Sequence, residues 1–129
     1  MNVPKQKLRR LAKKYHLKLL LLFGSAAMGK THPKSDLDFA FFSNTIINEE
    51  KLHQDLMDIF HREDIDLINI LTTHDPLLRF EILHKGISLY ESEVGLKSTM
   101  EWQSYFDYID FQKYYTMRSS LLTKRIAAL

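Results

Sequence analysis

Residues 17–42 have the sequence LKLLLLFGSAAMGKTHPKSDLDFAFF, in which two apolar runs flank a turn of small residues and a pair of aspartates. The first run, residues 17–23, stops at a glycine, and its length and composition predict a buried strand. Residues 24–29 then predict a turn that leads into a short helix, and the second apolar run, residues 36–42, predicts another strand. Because side chains alternate along a strand, Asp36 and Asp38 should share one face of the sheet, opposite an apolar face.

The rest of the chain alternates between apolar residues at helical spacing and short apolar runs. Besides the two strands, the pattern predicts a helix over 4–15, a helix over 49–61 behind an Asn48 cap, a strand over 64–71, a helix from Asp75–Pro76 to Gly86, a strand over 87–91, and a helical tail from a Ser98–Glu101 capping box onward, with a bend near Asp110. This order predicts an α/β (α+β) fold with a mixed sheet of about four strands flanked by helices.

The composition indicates a single domain over residues 1–129, with a core at about 5–92 and a helical C-terminal extension at about 98–129. The 45% hydrophobic fraction is that of a folded globule. The absence of cysteine excludes disulfides, thiolate metal sites and a cysteine nucleophile. The longest apolar run, Leu19–Phe23, is too short to span a bilayer, so we expect a cytoplasmic protein without membrane association.

Charge is distributed unevenly along the chain. Residues 1–35 contain nine Lys or Arg and no acid, residues 36–110 contain all sixteen acids, and residues 111–129 contain four Lys or Arg and no acid. Basic ends are typical of contact with phosphates or an acidic partner, although a solvated helix face would look the same. Aromatic residues are dense after Trp102, which favours a partner-binding tail over simple core packing. Direct nucleic-acid binding is not expected, because no stacking motif or recognition helix is evident.

The segment from Gly24 to Asp38 carries the residues for phosphate chemistry. A glycine lets backbone approach a ligand closely, a helix N-terminus suits a phosphate, and the Ser25 hydroxyl adds a donor. Two carboxylates on one strand face repel each other unless a cation binds between them. Mg²⁺ is a suitable cation, because it is held by one or two carboxylates together with substrate phosphates.

A further carboxylate, from Asp64 or Asp66, is predicted at the same end of the sheet. A helical crossover between the second and third strands makes them parallel, so their starts lie side by side. The first strand must then run antiparallel to bring Ser25 to that end. Three carboxylates beside a phosphate-binding turn suit two metal ions acting on an in-line phosphoryl displacement.

These residues resemble a known signature. Gly24-Ser25, ten intervening residues and then Asp36-Leu37-Asp38 are similar to the motif of DNA polymerase beta-like nucleotidyltransferases, and the short chain resembles their minimal nucleotidyltransferase (MNT) group. The segments IDLIN, residues 65–69, and KGISLYE, residues 85–91, extend the likeness. The resemblance implies the polymerase-beta-like fold, with Asp36, Asp38 and Asp66 as catalytic metal ligands, and with Gly24, Ser25, Lys30 and Ser35 as nucleotide contacts.

The resemblance also implies an activity and a partner. Many small members resemble antitoxins of HEPN-domain ribonuclease toxins, which would make this chain an enzyme that transfers AMP from ATP to a toxin tyrosine with two Mg²⁺ ions. The turn departs from the family pattern, because Ala26 and Met28 stand where arginines are usual, so Lys30, Lys34 or a residue elsewhere in the chain would have to supply the positive charge. Two alternatives stay open: a non-catalytic antitoxin that inhibits by binding, and a nucleotidyltransferase for a small molecule such as an aminoglycoside.

Overall fold

The computed structural model describes residues 3–24, 27 and 36–129. The predicted turn and short helix after Gly24 lie outside these ranges, apart from Ala27. The elements are α1 (Lys5–Lys14), β1 (Leu19–Phe23), β2 (Leu37–Phe42), α2 (Glu49–Phe60), β3 (Ile65–Asn69), a 3₁₀ turn (Ile70–Thr72), α3 (Pro76–Lys85), β4 (Ile87–Glu91) and α4 (Leu96–Ala127). Their order is the predicted one.

The four strands form one mixed sheet with the order β3-β2-β1-β4. Strand β1 is antiparallel to both of its neighbours, and β2 is parallel to β3 across the α2 crossover. Both strand directions agree with the prediction from the sequence. As a result, the end of β1 and the starts of β2 and β3 lie at the same end of the sheet.

Each face of the sheet is covered by two helices. Helices α1 and α2 pack on one face, where the fully buried side chains include Leu8, Leu20, Phe39, Leu52 and Leu56. Helix α3 and the start of α4 cover the other face through Leu19, Leu21, Ala40, Ile82 and Leu83, with Met100 partly buried against them. The odd and even positions of β2 therefore belong to different cores, and Asp38 lies on the face of α3 and α4.

Two of the boundaries that differ from the sequence prediction have a physical cause in nearby residues. The third strand ends at Asn69 rather than at residue 71, because the Asn69 side chain accepts the Leu71 N–H at 3.0 Å and starts the 3₁₀ turn. The predicted Ser98–Glu101 capping box is wrong. Helix α4 begins at Leu96 after Gly95, whose φ is +89°, and the Glu101 carboxylate instead contacts the His84 ring at 2.5 Å.

The C-terminal extension is one 32-residue helix, which continues through Asp110 without a break. The helical tail is thus as predicted, but the bend near Asp110 is not matched by any interruption of the helix. Among the described residues, no helix combines the length and the apolar character needed to cross a membrane.

A polar contact between α1 and α2 provides a test of the fold. The Tyr15 hydroxyl, in a side chain 8% exposed, donates to Asp55 Oδ2 at 2.5 Å, and Lys14 Nζ lies 3.1 Å from the same oxygen. Burial, with the hydrogen bond to Asp55, raises the pKa of Tyr15 to about 12. The same hydrogen bond is the main reason that the pKa of Asp55 is lowered.

Replacing Tyr15 by phenylalanine should reduce the free energy of unfolding by about 1–3 kcal/mol, because Asp55 loses the buried hydroxyl donor and keeps only Lys14. The Asp55 contribution is present above the unfolded-state pKa and is lost as pH falls through the lowered folded-state pKa, so the difference from wild type should shrink below about pH 4. Urea unfolding at pH 7 and pH 3 measures this. Tyr115→Phe, on an exposed ring, is the control. An equal effect of the two substitutions would contradict the role of the contact.

Candidate active site

Strand register brings two acidic side chains together at one end of the sheet. Asp38 on β2 is opposite Asp66 on β3, and on its other side it is opposite Phe23 on β1. Residues in register on adjacent parallel strands project to the same face, so the two carboxylates lie side by side. Gly24, directly after β1, completes this end of the sheet.

The carboxylates of Asp38 and Asp66 are in contact. Burial raises the pKa of Asp38, and the charge of Asp66, a hydrogen bond to Asp66 and the charge of Asp36 raise it further. Two carboxylates this close cannot both be ionised at low cost unless a proton or a cation lies between them. An all-oxygen donor pair of this kind suits a hard divalent cation such as Mg²⁺, so these residues fit the metal that the fold family implies.

Asp36 lies just before β2 and is exposed. Its charge contributes to the raised pKa of Asp38. Within residues 3–24, 27 and 36–129, however, no three His, Asp or Glu side chains are grouped closely enough to hold a metal ion. The structure thus brings together Asp38 and Asp66, with Asp36 near them but not in the same cluster.

Asp64 has a different partner from Asp66. The Arg62 Nε donates to Asp64 Oδ1 at 2.7 Å, and a second guanidinium nitrogen of Arg62 contacts the other carboxylate oxygen. This hydrogen bonding lowers the pKa of Asp64. Of the two candidates that the sequence leaves open, Asp66 lies against Asp38, whereas Asp64 pairs with an arginine.

Arg62 is a residue that the sequence reasoning missed. Its pKa is raised mainly by the hydrogen bonds to Asp64, and also by the charge of Asp36. A guanidinium therefore lies against Asp64 and near Asp36. The sequence signal for this residue is that Arg62 comes just before the strand that carries Asp64 and Asp66. Only the structure shows that it pairs with Asp64.

Two features require a glycine at position 24: the backbone conformation there and the close approach of the Asp38 side chain. Its φ of +76° lies in the left-handed region, and a Cβ at this position would be 2.3 Å from Asp38 Oδ2. The backbone at Gly24 therefore passes directly beside the Asp38 carboxylate. Ser25, Lys30 and Ser35, the other predicted nucleotide contacts, lie outside the described residues, so their role stays a prediction.

A glycine turn beside paired carboxylates at the end of a mixed sheet defines a nucleotidyltransferase-like site. Residues 6–94 match the family model described as Polymerase beta, Nucleotidyltransferase. The chain belongs to this family. No curated protein matches the sequence significantly.

Solved structures show the same fold over nearly the whole chain. A chain in a crystal structure of a toxin–antitoxin with AMP-PNP is 20% identical, with a TM-score of 0.75, and the match covers 94% of this chain and 99% of that one. A chain of the MntA–HepT toxin–antitoxin is 18% identical, with a TM-score of 0.67 and coverage of 92% and 96%. A third match is a chain in the structure of the complex between the tri-AMPylated Shewanella oneidensis HEPN toxin and an MNT antitoxin. It is 18% identical, with a TM-score of 0.66, and the match covers 92% of this chain and 95% of that one.

Proposed function

We propose that this chain is a metal-dependent nucleotidyltransferase antitoxin, which transfers AMP from ATP to a tyrosine of a cognate HEPN-domain toxin and so silences it. The observation that carries the proposal is the contact between Asp38 and Asp66 beside Gly24 at one end of the sheet. The partner and the nucleotide are supported by the similar chains, which come from toxin–antitoxin structures with AMP-PNP and with an AMPylated HEPN toxin. We assign the reaction to the cytoplasm.

The transfer is a displacement at the α-phosphorus of ATP. The tyrosine oxygen forms a bond to this phosphorus, the bond to the α,β-bridging oxygen breaks, and pyrophosphate leaves with the electron pair. When bound, two Mg²⁺ ions would activate the acceptor hydroxyl and neutralise the charge on the leaving pyrophosphate. The protein's contribution is therefore mainly positioning and charge compensation.

Individual residues have distinct roles in this proposal. Asp38 and Asp66 hold metal, and Asp36 completes the metal site from the exposed side. Asp66, the more exposed of the contacting pair, accepts the proton of the tyrosine hydroxyl as the new bond forms. Gly24 lets the turn approach the triphosphate, and Ser25, Lys30 and Ser35 contact the nucleotide.

The assignment of Asp66 can be tested against Asp64, which is two residues away. Asp66→Asn should lower the rate of AMP transfer by at least about a hundredfold, since it removes a metal ligand and proton acceptor. Asp64→Asn should keep the rate within a few-fold. The measurement is incorporation of label from α-³²P-ATP into the purified cognate HEPN toxin, with intact mass spectrometry to count the AMP groups. Equal losses in both variants would contradict the assignment.

The same experiment separates the alternatives. If the inactive Asp66→Asn variant still protected cells fully from the toxin, neutralisation would be by binding alone. A small-molecule acceptor such as an aminoglycoside would show as AMP transfer to that compound and none to the toxin.

A further inference from the structure

The outer half of α4 projects away from the rest of the protein. The first half is docked, with Ser104 buried and the Tyr108 ring stacked on Phe80 at a centroid distance of 6.2 Å. From Asp110 to Leu129, every residue is exposed. We call residues 110–127 the distal helix, which is about 27 Å long at 1.5 Å per residue.

One side of the distal helix is apolar. At about 100° per residue, the large apolar side chains occupy an arc of roughly 180°. They are 48–66% exposed and comprise Phe111, Tyr114, Tyr115, Met117, Leu121, Leu122 and Ile126. The opposite side carries uncharged polar residues, namely Gln112, Thr116, Ser119, Ser120 and Thr123. Such a contiguous exposed apolar surface is typical of a protein-binding site.

The side-chain contacts of the distal helix are made within α4 itself, such as the stacking of Phe111 on Tyr115 at a centroid distance of 6.3 Å. Many of its residues are aromatic, β-branched or small hydroxyl residues, which are weak helix formers. Helices in water depend mostly on packing of an apolar face, which this segment does not have within the chain. A partner packed along the apolar arc would supply that stabilisation.

The charge pattern indicates which partner fits. Arg118 and Arg125 lie inside the apolar arc and are seven residues apart, or about 10.5 Å along the axis. Lys113 and Lys124 lie at one border of the arc, and Asp110, at the start of the distal helix, is the one acid of this segment. A second copy of this chain would bring two surfaces with an excess of positive charge together in an apolar interface, which is unfavourable. An apolar surface is equally unsuited to a nucleic-acid backbone.

We infer that the distal helix is the surface on which the partner protein docks, and that the partner presents an apolar helix with two carboxylates, two turns apart, facing Arg118 and Arg125. Packing along a straight helix of this length is best achieved by another helix. Naming the HEPN toxin as that partner rests on the proposed function. The match to a chain in a toxin–antitoxin structure covers 94% of this chain. The uncovered part is shorter than the segment 111–129, so part of the distal helix has a counterpart in that chain.

The test is the affinity of the purified chain for its cognate HEPN-domain toxin, measured by isothermal titration calorimetry without ATP. The double variant Arg118→Glu, Arg125→Glu should raise the Kd at least a hundredfold, because each substitution places like charge opposite the partner's carboxylate. Arg118→Ala, Arg125→Ala should weaken binding less. The matched control is Arg9→Glu, Lys13→Glu on the exposed side of α1, which makes the same change in net charge and should alter the Kd less than threefold.

The remaining outcomes are equally informative. An unchanged Kd in the charge-reversed variant, no binding by the wild type, or a wild-type homodimer that the variant abolishes in sedimentation would each overturn the docking surface. Circular dichroism at equal concentration shows that the variants stay folded. Because binding is measured without ATP, loss of affinity in the variant together with no AMP transfer by the wild type would support the docking surface and refute the enzymatic function.

Discussion

Replacement of Asp38 by asparagine is expected to reduce AMP transfer at least about a thousandfold while leaving the apo protein as stable as the wild type or more stable. The rate loss follows from the several kcal/mol that metal-assisted charge stabilisation contributes, at 1.36 kcal/mol per tenfold in rate. The stability follows from the raised pKa of Asp38, which is caused first by burial and then by the neighbouring Asp66 carboxylate. Ionisation of Asp38 at neutral pH therefore costs folded-state stability, and a neutral amide removes this cost.

Two measurements test this expectation. Single-turnover labelling of the toxin gives the rate, and thermal unfolding with and without Mg²⁺ gives the stability. Because a ligand that binds only the folded state raises the melting temperature, Mg²⁺ should stabilise the wild type but not Asp38→Asn. The control is Asp58→Asn, which removes an exposed carboxylate on α2 and should behave as the wild type. Retained transfer by Asp38→Asn, or equal Mg²⁺ stabilisation of both proteins, would refute the metal site.

The second large loss of AMP transfer is expected for Gly24→Ala. The φ of +76° costs an alanine about 1–2 kcal/mol, and the new Cβ would lie 2.3 Å from Asp38 Oδ2. The turn or the carboxylate must therefore move. A misplacement of about 1 Å in a catalytic arrangement lowers rates by about a hundredfold, and we expect a loss of at least this size.

Gly95→Ala provides a matched control for the backbone cost. Gly95 has a φ of +89°, but a Cβ at this position would meet no atom within 4 Å. Both variants should lose similar backbone stability in urea unfolding, whereas only Gly24→Ala should lose AMP transfer. If Gly95→Ala reduced the rate of AMP transfer as much as Gly24→Ala does, the loss in Gly24→Ala would reflect lower stability of the fold and not a displaced site.

Much of the fold follows from local sequence patterns. The apolar run of β1, the capping residues Asn48 and Asp75, and the helical crossover between β2 and β3 are each visible in the sequence, and the structure confirms the caps and the strand directions. The start of α4 could not be predicted from its best capping pattern. Gly95 begins the helix earlier, and Glu101 is engaged by a histidine from α3.

The candidate site was predictable in kind but not in detail. Spacing alone places Asp36 and Asp38 on one face, but a shift of one residue in register would exchange Asp66 for a neighbouring apolar residue beside Asp38. Only the pairing register of β2 with β3 shows that Asp66 is the residue opposite Asp38. The pairing of Asp64 with Arg62 depends on side-chain geometry after the α2 turn, which no sequence pattern specifies.

The position of β1 in the sheet has a consequence for how the chain assembles. One of its neighbours, β2, follows soon after it, but the other, β4, is the last strand to be synthesised. Until residues 87–91 emerge, one edge of the LLLLF strand has no backbone partner, and unpaired apolar edges of this kind promote aggregation. Nascent chains that stop short of β4 are therefore candidates for proteolysis and not for partial activity. The folded sheet would therefore form only after residues 87–91 have been translated.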